Sequence, residues 1–296
     1  MIINAAAIAA ISAGFRAEFQ GAYDGTTAIF ERIATSVPSS GPSENYGWLG
    51  QWPQLREWVG DRLLKDISAH KYSIDNKKFE GSVGVKADDI KDDRLGVYKP
   101  MFEEMGRAAK THPDELVFNL LNAGTSQLCY DGQNFFDTDH PVIINGAAET
   151  VSNFQAGAGE PWYLLDCSRK LKPLIFQKRQ DYNFVAMTKP DDEAVFMRDE
   201  FRYGVDARCN VGFGFWQMAY CSKAPFTQAN FRTARNAMTT LKSDQGRPLG
   251  TKPTLLVVGP GNGDAARDLI NADRLANGAS NTDRGLVEVL ETPYVF

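Results

Sequence analysis

Two hydrophobic periodicities meet in the stretch from Lys65 to Gly124. From Tyr72 onward apolar positions alternate with polar ones: Tyr72 and Ile74, a polar run at Asp75, Asn76, Lys77 and Lys78, then Phe79, Val83 and Val85. Alternation interrupted by turn residues predicts a two-stranded ribbon. Few apolar residues flank it, and an isolated hairpin is marginal in water, so the ribbon is expected to lean on something outside itself. Behind it, Leu95, Tyr98, Met101, Phe102, Met105, Ala108 and Ala109 recur at helical spacing. Asp92 and Asp93 near the start and Lys110 near the end follow the charge order a helix dipole favours. A long helix is predicted, with a second one opening at Pro113 and closing at Gly124.

The rest of the chain divides by texture. Ile8, Ile11, Phe15 and Phe19 form one helical stripe, so residues 1–35 read as an amphipathic arm of one or two helices, broken near Gly21–Gly25. Residues 36–55 mix prolines, glycines and serines with Trp48 and Trp52, aromatics that call for a docking surface. A short helix follows at 55–64. Residues 129–142 form an Asp-, Gly- and His-rich loop, and 145–160 a small-residue loop. From Trp162 to Ala224 aromatic and β-branched residues dominate. Val195, Met197, Phe201, Tyr203 and Val205 share one parity opposite a charged face, which predicts a long antiparallel strand buried on one side. The segment FGFWQMAY is expected to return beside it. Helices at 230–243 and 264–272 and strands at 254–258 and 285–295 predict a closing α/β unit.

Composition narrows the function. The 296 residues are 43% hydrophobic and 23% charged, ordinary globular values, and the net charge of −5 lacks the basic footprint of a dedicated DNA binder. Cys129, Cys167, Cys209 and Cys221 show no zinc-ligand spacing and are expected to be buried free thiols in a reducing compartment. The N-terminus lacks a basic leader, and Arg16, Glu18 and Gln20 interrupt its apolar run, so no membrane span is expected there. Two stretches tempt a chemical reading. GPGNGD (259–264) lies between a strand and a helix with Glu288 downstream, like a dinucleotide fingerprint. Pro260 between the glycines, and a third glycine one place early, argue instead for a turn with a helix cap at Asn262 or Asp264. Asp137, Asp139 and His140 offer carboxylates and an imidazole, but no further ligand is signalled. Neither cofactor nor metal is expected, and His70 and His112 have no predicted partners.

The order of parts resembles the α+β tailed-phage major capsid fold of the Hong-Kong-97 type. More closely, the chain resembles the major head subunits of Mu-like phages and prophages, the T-protein family. The resemblance is carried by YGWLGQWPQLREWVGDR (46–62) and YSIDNKKFEGSVGVKADDIKDD (72–93). It extends through YDGQNFFDTDHP (130–141), FRYGVDARCNVGFGFWQMAY (201–220) and KPTLLVVGPGNGDAARDLINA (252–272). It implies an N-terminal arm and helical lead-in at 1–65, an extended β-hairpin loop at 66–92, a peripheral domain with spine helix and long β-hairpin at 93–225, and an axial α/β domain at 226–296. In many relatives of that fold the axial unit precedes the long strands, so the order here looks permuted.

The implied function is a non-enzymatic shell subunit that self-assembles into hexamers and pentamers around phage DNA. Scaffold, head protease, portal and decoration proteins would be its partners, and DNA would be touched without sequence preference. The loop residues Tyr72, Ile74, Asn76, Lys77, Lys78, Phe79 and Val83 are expected to contact the neighbouring subunit. Phe15 and Phe19 of the arm, with Trp48 and Trp52, are expected to supply further adaptable contact. Nothing places a cross-linking partner beside Lys77 or Lys78. The competing readings are a nucleotide-dependent enzyme built on 259–264 and a tail or decoration subunit.

Overall fold

Asn4 starts the first helix, α1 (Ala5–Gly25), its side-chain oxygen accepting from the Ala7 N–H at 2.8 Å. The predicted stripe is its buried side, with Ile8, Phe15 and Phe19 covered and Ile11 packed beside them. Gly21 does not break the helix. A computed structural model of the chain describes residues 4–49, 72–92, 94–144, 147–243, 246–275 and 278–296. Trp52, the helix expected at 55–64, the loop portion 66–71 with His70, and Asp93 lie outside the described residues. After α1 come β1 (Ala34–Pro38) and β2 (Ser43–Asn45), then β3 (Ser73–Asp75), β4 (Lys77–Lys86), α2 (Ala87–Lys91) and the spine helix α3 (Lys99–Asn122). Beyond α3 are β5 (His140–Ile144), β6 (Ala147–Val151), β7 (Phe154–Gln155), β8 (Trp162–Leu165) and β9 (Leu174–Met187). The chain closes with α4 (Glu193–Arg198), β10 (Glu200–Phe213), β11 (Ala219–Ser222), α5 (Gln228–Thr239), β12 (Leu255–Val258), α6 (Pro260–Asn271) and β13 (Glu288–Glu291).

Two larger sheets organise these elements. The first runs β1-β9-β10-β4, with β9 and β10 as 14-residue strands forming the long hairpin. The second runs β13-β12-β8-β11-β7, flanked by α5 and α6 through Phe231, Met238, Leu269 and Ile270. Smaller pairs join β2 to β3 and β5 to β6. The segment expected as a small-residue loop at 145–160 thus supplies an arm of the β5–β6 pair.

Several expectations need correction. The ribbon is not a self-paired hairpin. β3 pairs with β2, whereas β4 pairs antiparallel with β10, Lys77 opposite Cys209 and Lys86 opposite Glu200. Asn76, the expected turn residue, is bound from outside: its amide donates to Ser39 and Gly41, and its side-chain oxygen accepts from Gln177. Those bonds hold the chain running on from β3 into β4. What the ribbon leans on is therefore its own chain's β10. The strand predicted through 195–205 begins only at Glu200. Residues 193–198 turn as α4, which ends at Asp199 with φ 52°, a left-handed conformation that Asp tolerates better than most residues. FGFWQMAY does not return along β10. Gly214 donates to the Pro173 carbonyl at 2.7 Å, a turn at 216–218 redirects the chain, and β11 joins the second sheet.

The spine is one helix where two were expected, with Pro113 inside it. Proline removes one helical bond and costs about 3 kcal/mol. Buried Phe102 and Ala109 before it, and Val117, Phe118 and Leu121 after it, anchor both halves and offset that cost. It begins at Lys99 with Pro100 in its first turn, so Asp92 does not open it. The α/β unit expected at 226–296 shares its sheet with β7, β8 and β11 from earlier in the chain. β7 and β8 precede the long strands in the chain.

The helices α1 and α3 cover one face of the long sheet. Phe15 stacks on Phe102 with ring centroids 4.2 Å apart, and both meet Tyr203 edge-on. Their backbones approach closely at Gly106, where any Cβ would overlap the Phe19 carbonyl oxygen. Gly14, in α1, faces open space. Gly14→Ala should therefore stabilise the protein by up to about 1 kcal/mol, the ordinary helix effect. Gly106→Ala should lower stability by about 1–3 kcal/mol because α1 must lift off α3. Thermal melts of the two variants check the opposite signs; equal shifts would contradict this packing. Deleting residues 73–82 removes β3 and part of β4, so circular dichroism should show loss of cooperative unfolding rather than a folded subunit without a projection.

Candidate functional site

The glycine turn at 259–264 is the first turn of a helix, crowded by carboxylates of the same chain. Gly259 is the cap residue and Pro260 opens α6, so the cap is not at Asn262 or Asp264. The Glu160 carboxylate lies against Gly259 and Gly261, where added Cβ atoms would overlap its oxygens, and the Glu291 carboxylate lies against Gly263. Asn262 ties this loop to the Glu160 backbone carbonyl at 3.2 Å. Glu291 is paired with Arg267 of α6, while the Glu160 carboxylate stands beside the glycines of the first turn. A phosphate approaching that turn would meet the Glu160 carboxylate.

The acidic loop is a satisfied hydrogen-bond network. His140 is fully buried and stacks on Trp216, centroids 4.0 Å apart and planes 9° from parallel. Its Nδ1 lies 2.7 Å from Asp131 Oδ2 and its Nε2 3.2 Å from Asn153 Oδ1. Asn153 is fixed by its own amide, which donates to the Phe135, Trp216 and Ala219 carbonyls. Cys129 donates from its thiol to Asp131 Oδ1 at 3.0 Å. Burial pulls the Asp131 carboxyl up, but the His140 and Cys129 hydrogen bonds outweigh it and hold the group below its ordinary value. Cys129, Asp131 and His140 are three donors of metal-ligating type within 4.8 Å of one another. Their atoms are spent on each other, so the cluster is complete as a fastening between the 129–137 loop and β5. Asp137 accepts from Asn134 and Thr138, which makes it a turn former, and Asp139 is exposed. Sequence reasoning missed Asp131 and Asn153, which carry no spacing signal.

The four cysteines are free, three of them buried, and burial pushes the Cys209 thiol up to about 11 and the Cys167 and Cys221 thiols up to about 12. None is poised as a nucleophile. His112 has a partner that the sequence did not signal, Tyr182 Oη at 2.5 Å, and its ring packs edge-on to Phe79. Burial lowers its pKa.

The residues expected to reach a neighbour separate into two groups. Ile74 is buried in this chain's own core, and Tyr72 accepts from the Phe213 N–H at 2.8 Å while burial pushes its phenol up to about 12. Phe15 and Phe19 are likewise internal, so α1 is a packed helix over its described length rather than a free arm. Asn76 is bonded as above. Trp48 is partly exposed, with Tyr46 and Phe215 against its ring. Lys77 and Lys78 are exposed, and Phe79 and Val83 are half-buried on the helix-covered face of the sheet. Alternation along a strand cannot tell a face covered by its own helices from one covered by another chain.

Replacing His140 by Ala leaves the Asp131 carboxylate buried without its main partner. This should cost about 3 kcal/mol or more, read as a lowered melting temperature. Elemental analysis of the native and His140→Ala proteins should show no stoichiometric metal in either; a native metal lost in the variant would overturn the fastening.

The comparisons with known proteins agree over the whole chain. Residues 8–295 match the family model described as Mu-like prophage major head subunit gpT. The major capsid protein of Escherichia phage Mu is 45% identical over 305 residues, covering all of both chains. Among solved structures, the procapsid of bacteriophage JBD30 matches with a TM-score of 0.88 and 54% identity, covering 99% of this chain and 100% of the other. The JBD30 capsid decorated with minor capsid protein trimers matches at 0.76 and 39%, over 90% of each. The fold is that of the tailed-phage capsid subunit, and the chain belongs to the Mu-like prophage major head subunit family, gpT.

Proposed function

We propose that this chain is the major capsid protein of a Mu-like phage head, a structural subunit whose copies close into the icosahedral shell around the genome. The observation that carries this is agreement in both sequence and fold, over nearly the full length, with subunits taken from assembled heads. The physical features fit. The two stretches that tempted a chemical reading are filled by the chain's own carboxylates and hydrogen bonds, while large apolar side chains such as Phe196, Met197 and Val97 stay exposed. Exposed apolar surface on a folded subunit marks a site of association.

Rings of five and six copies fit a subunit that bears different contact patches, since head-to-tail contacts close into rings. The long sheet with α1 and α3 would be the peripheral domain, within 93–225 but borrowing α1 and β4. The five-stranded sheet with α5 and α6 would be the axial domain, centred on 226–296. Of the expected inter-subunit set, Lys77, Lys78, Phe79 and Val83 remain available, together with Trp48. A scaffold, a head protease and a portal would act during assembly, and a trimeric minor capsid protein would decorate the outside, as the JBD30 head suggests by analogy. A net charge of −5 would let packaged DNA lie against the shell without being gripped.

Electron microscopy of the expressed protein tests this. Closed shells, or pentameric and hexameric capsomers, are expected. Tubes or isolated trimers would favour a tail or decoration subunit. A monomer that binds NAD or ATP tightly would favour the enzyme.

A further inference from the structure

The two faces of the long sheet are finished differently around β4. On the helix-covered face an open apolar groove of about 650 Å³ lies between α3 and β4, with Phe79, Val83, Met101 and Met105 in its walls. The opposite face is charged, and its charges are sorted by row. Lys78 of β4 stands directly opposite Arg208 of β10, and two residues along both strands Glu80 stands opposite Asp206. β9 extends the rows with neutral side chains, Gln180 beside Arg208 and Asn183 beside Asp206. One row is therefore basic and the next acidic, about 7 Å apart at about 3.4 Å per residue. Lys78, Glu80, Gln180 and Asn183 are all exposed.

This order works against the isolated subunit. Like charges directly opposite on neighbouring strands destabilise a sheet, and exchanging Arg208 with Asp206 would pair both rows favourably. Elsewhere on the same sheet the chain does neutralise its charges: Arg202 pairs with Glu200 at 3.3 Å and Lys178 with Asp181 at 2.8 Å. Within the two rows no ion pair forms among the described residues. Glu80 accepts from the Ser82 hydroxyl and Asp206 from the Gln180 amide, both neutral donors. The Arg208 Nε is shielded from solvent and has no hydrogen-bond partner. Each row lacks an opposite charge standing above it.

A second copy of the same face supplies it. Half a turn about an axis parallel to the rows and midway between them lays the basic row of one copy over the acidic row of the other. We infer that this face packs against itself in a second subunit across a two-fold axis, with Lys78 opposite Glu80 and Arg208 opposite Asp206 of the other copy. Such a contact is self-complementary, so each pair occurs twice, and the charge order fixes its register. It is made face to face by side chains, and the backbone edge of β4 takes no part. A polyanion such as DNA would satisfy the basic row and be repelled by the acidic one beside it. Head-to-tail contacts build rings, and a two-fold contact can join one ring to the next. The inference rests on shell formation by this chain, so wild-type shells are the reference. Wild-type protein that forms no shells would overturn that reading; intact wild-type shells beside unaffected variants would overturn only this one.

The test is assembly of the full chain, read by electron microscopy and sedimentation. Lys78→Glu together with Arg208→Glu makes both rows acidic, and shell yield should fall at least about tenfold with circular dichroism unchanged. Adding Glu80→Lys and Asp206→Arg exchanges the rows, restores self-complementarity and should return the yield to near wild type. Normal shells from the double variant would overturn the proposal. So would a quadruple variant as defective as the double one, because a partner other than a copy meets reversed charges and is not recovered. A measurement on the unmutated protein decides independently of how the variants fold. Shells assembled from equal amounts of unlabelled and isotope-labelled subunits, treated with a carbodiimide, should yield mixed-isotope peptides joining Lys78 to Glu80 or Asp206. Lys78 cross-links confined to peptides of one isotope, or mixed ones that end only at other carboxylates, would overturn the two-fold contact.

Discussion

The subunit is organised around β10, a strand paired on both edges. Along it Phe201, Tyr203, Val205, Ala207 and Cys209 are buried, while Arg202, Asp206 and Arg208 stand on the other parity. One face must therefore be covered, and α1 and α3 cover it. Each edge must be paired, and β9 and β4 pair it. Two long strands with few local contacts between their far ends would be weak alone. The aromatic cluster of Phe15, Phe102, Phe184 and Tyr203, in a core cluster separate from the main one, ties both helices to the sheet. That cluster keeps the wing stiff, and Gly106 permits it by letting the two helix backbones touch.

Where the chain could have built a reactive site, it has closed one. Glu160 crowds the glycine turn that opens α6, Glu291 pairs with Arg267, and Asp131, Cys129, His140 and Asn153 satisfy one another. A functional pocket leaves polar groups aimed at empty space for a ligand to complete. Here the polar groups are turned inward. Exposed Phe196, Met197 and Met101 and the charged rows of the long sheet are what the fold leaves for other molecules.

Patterns that depend on a single element were legible in the sequence. The α1 stripe, the buried parity of 201–205 and the strand–helix succession at 255–271 follow from local periodicity, and the structure contains each of them. What was not legible depended on partners far away in the chain. Alternation at 72–85 is the same whether its two arms pair with each other or with other strands, and here β3 pairs back with β2 while β4 pairs with β10, more than a hundred residues on. Val195 and Met197 fit a strand parity, yet the left-handed turn at Asp199 separates them from it. Pro113 marks a helix start by rule, but packing on both sides overrode the rule. The site suffered more than the fold. Burial of Tyr72, Ile74, Phe15 and Phe19 within the chain is a tertiary fact, and the α3–β4 groove exists only because three distant segments meet.

The free edge of β4 carries a further consequence for association. Among the described residues β4 ends the sheet, and an unpaired edge invites another strand. Lys77, Lys78, Glu80 and Lys86 are exposed along it, and charges of that kind discourage edge-to-edge pairing by making a closely apposed copy repulsive. Strand addition has no natural stop and would lead to open aggregates. Contacts through shaped side-chain surfaces have a defined angle, and only a defined angle repeats into a closed ring. The charged edge thus discourages the association that would not close and leaves ring-forming contacts to shaped side-chain surfaces.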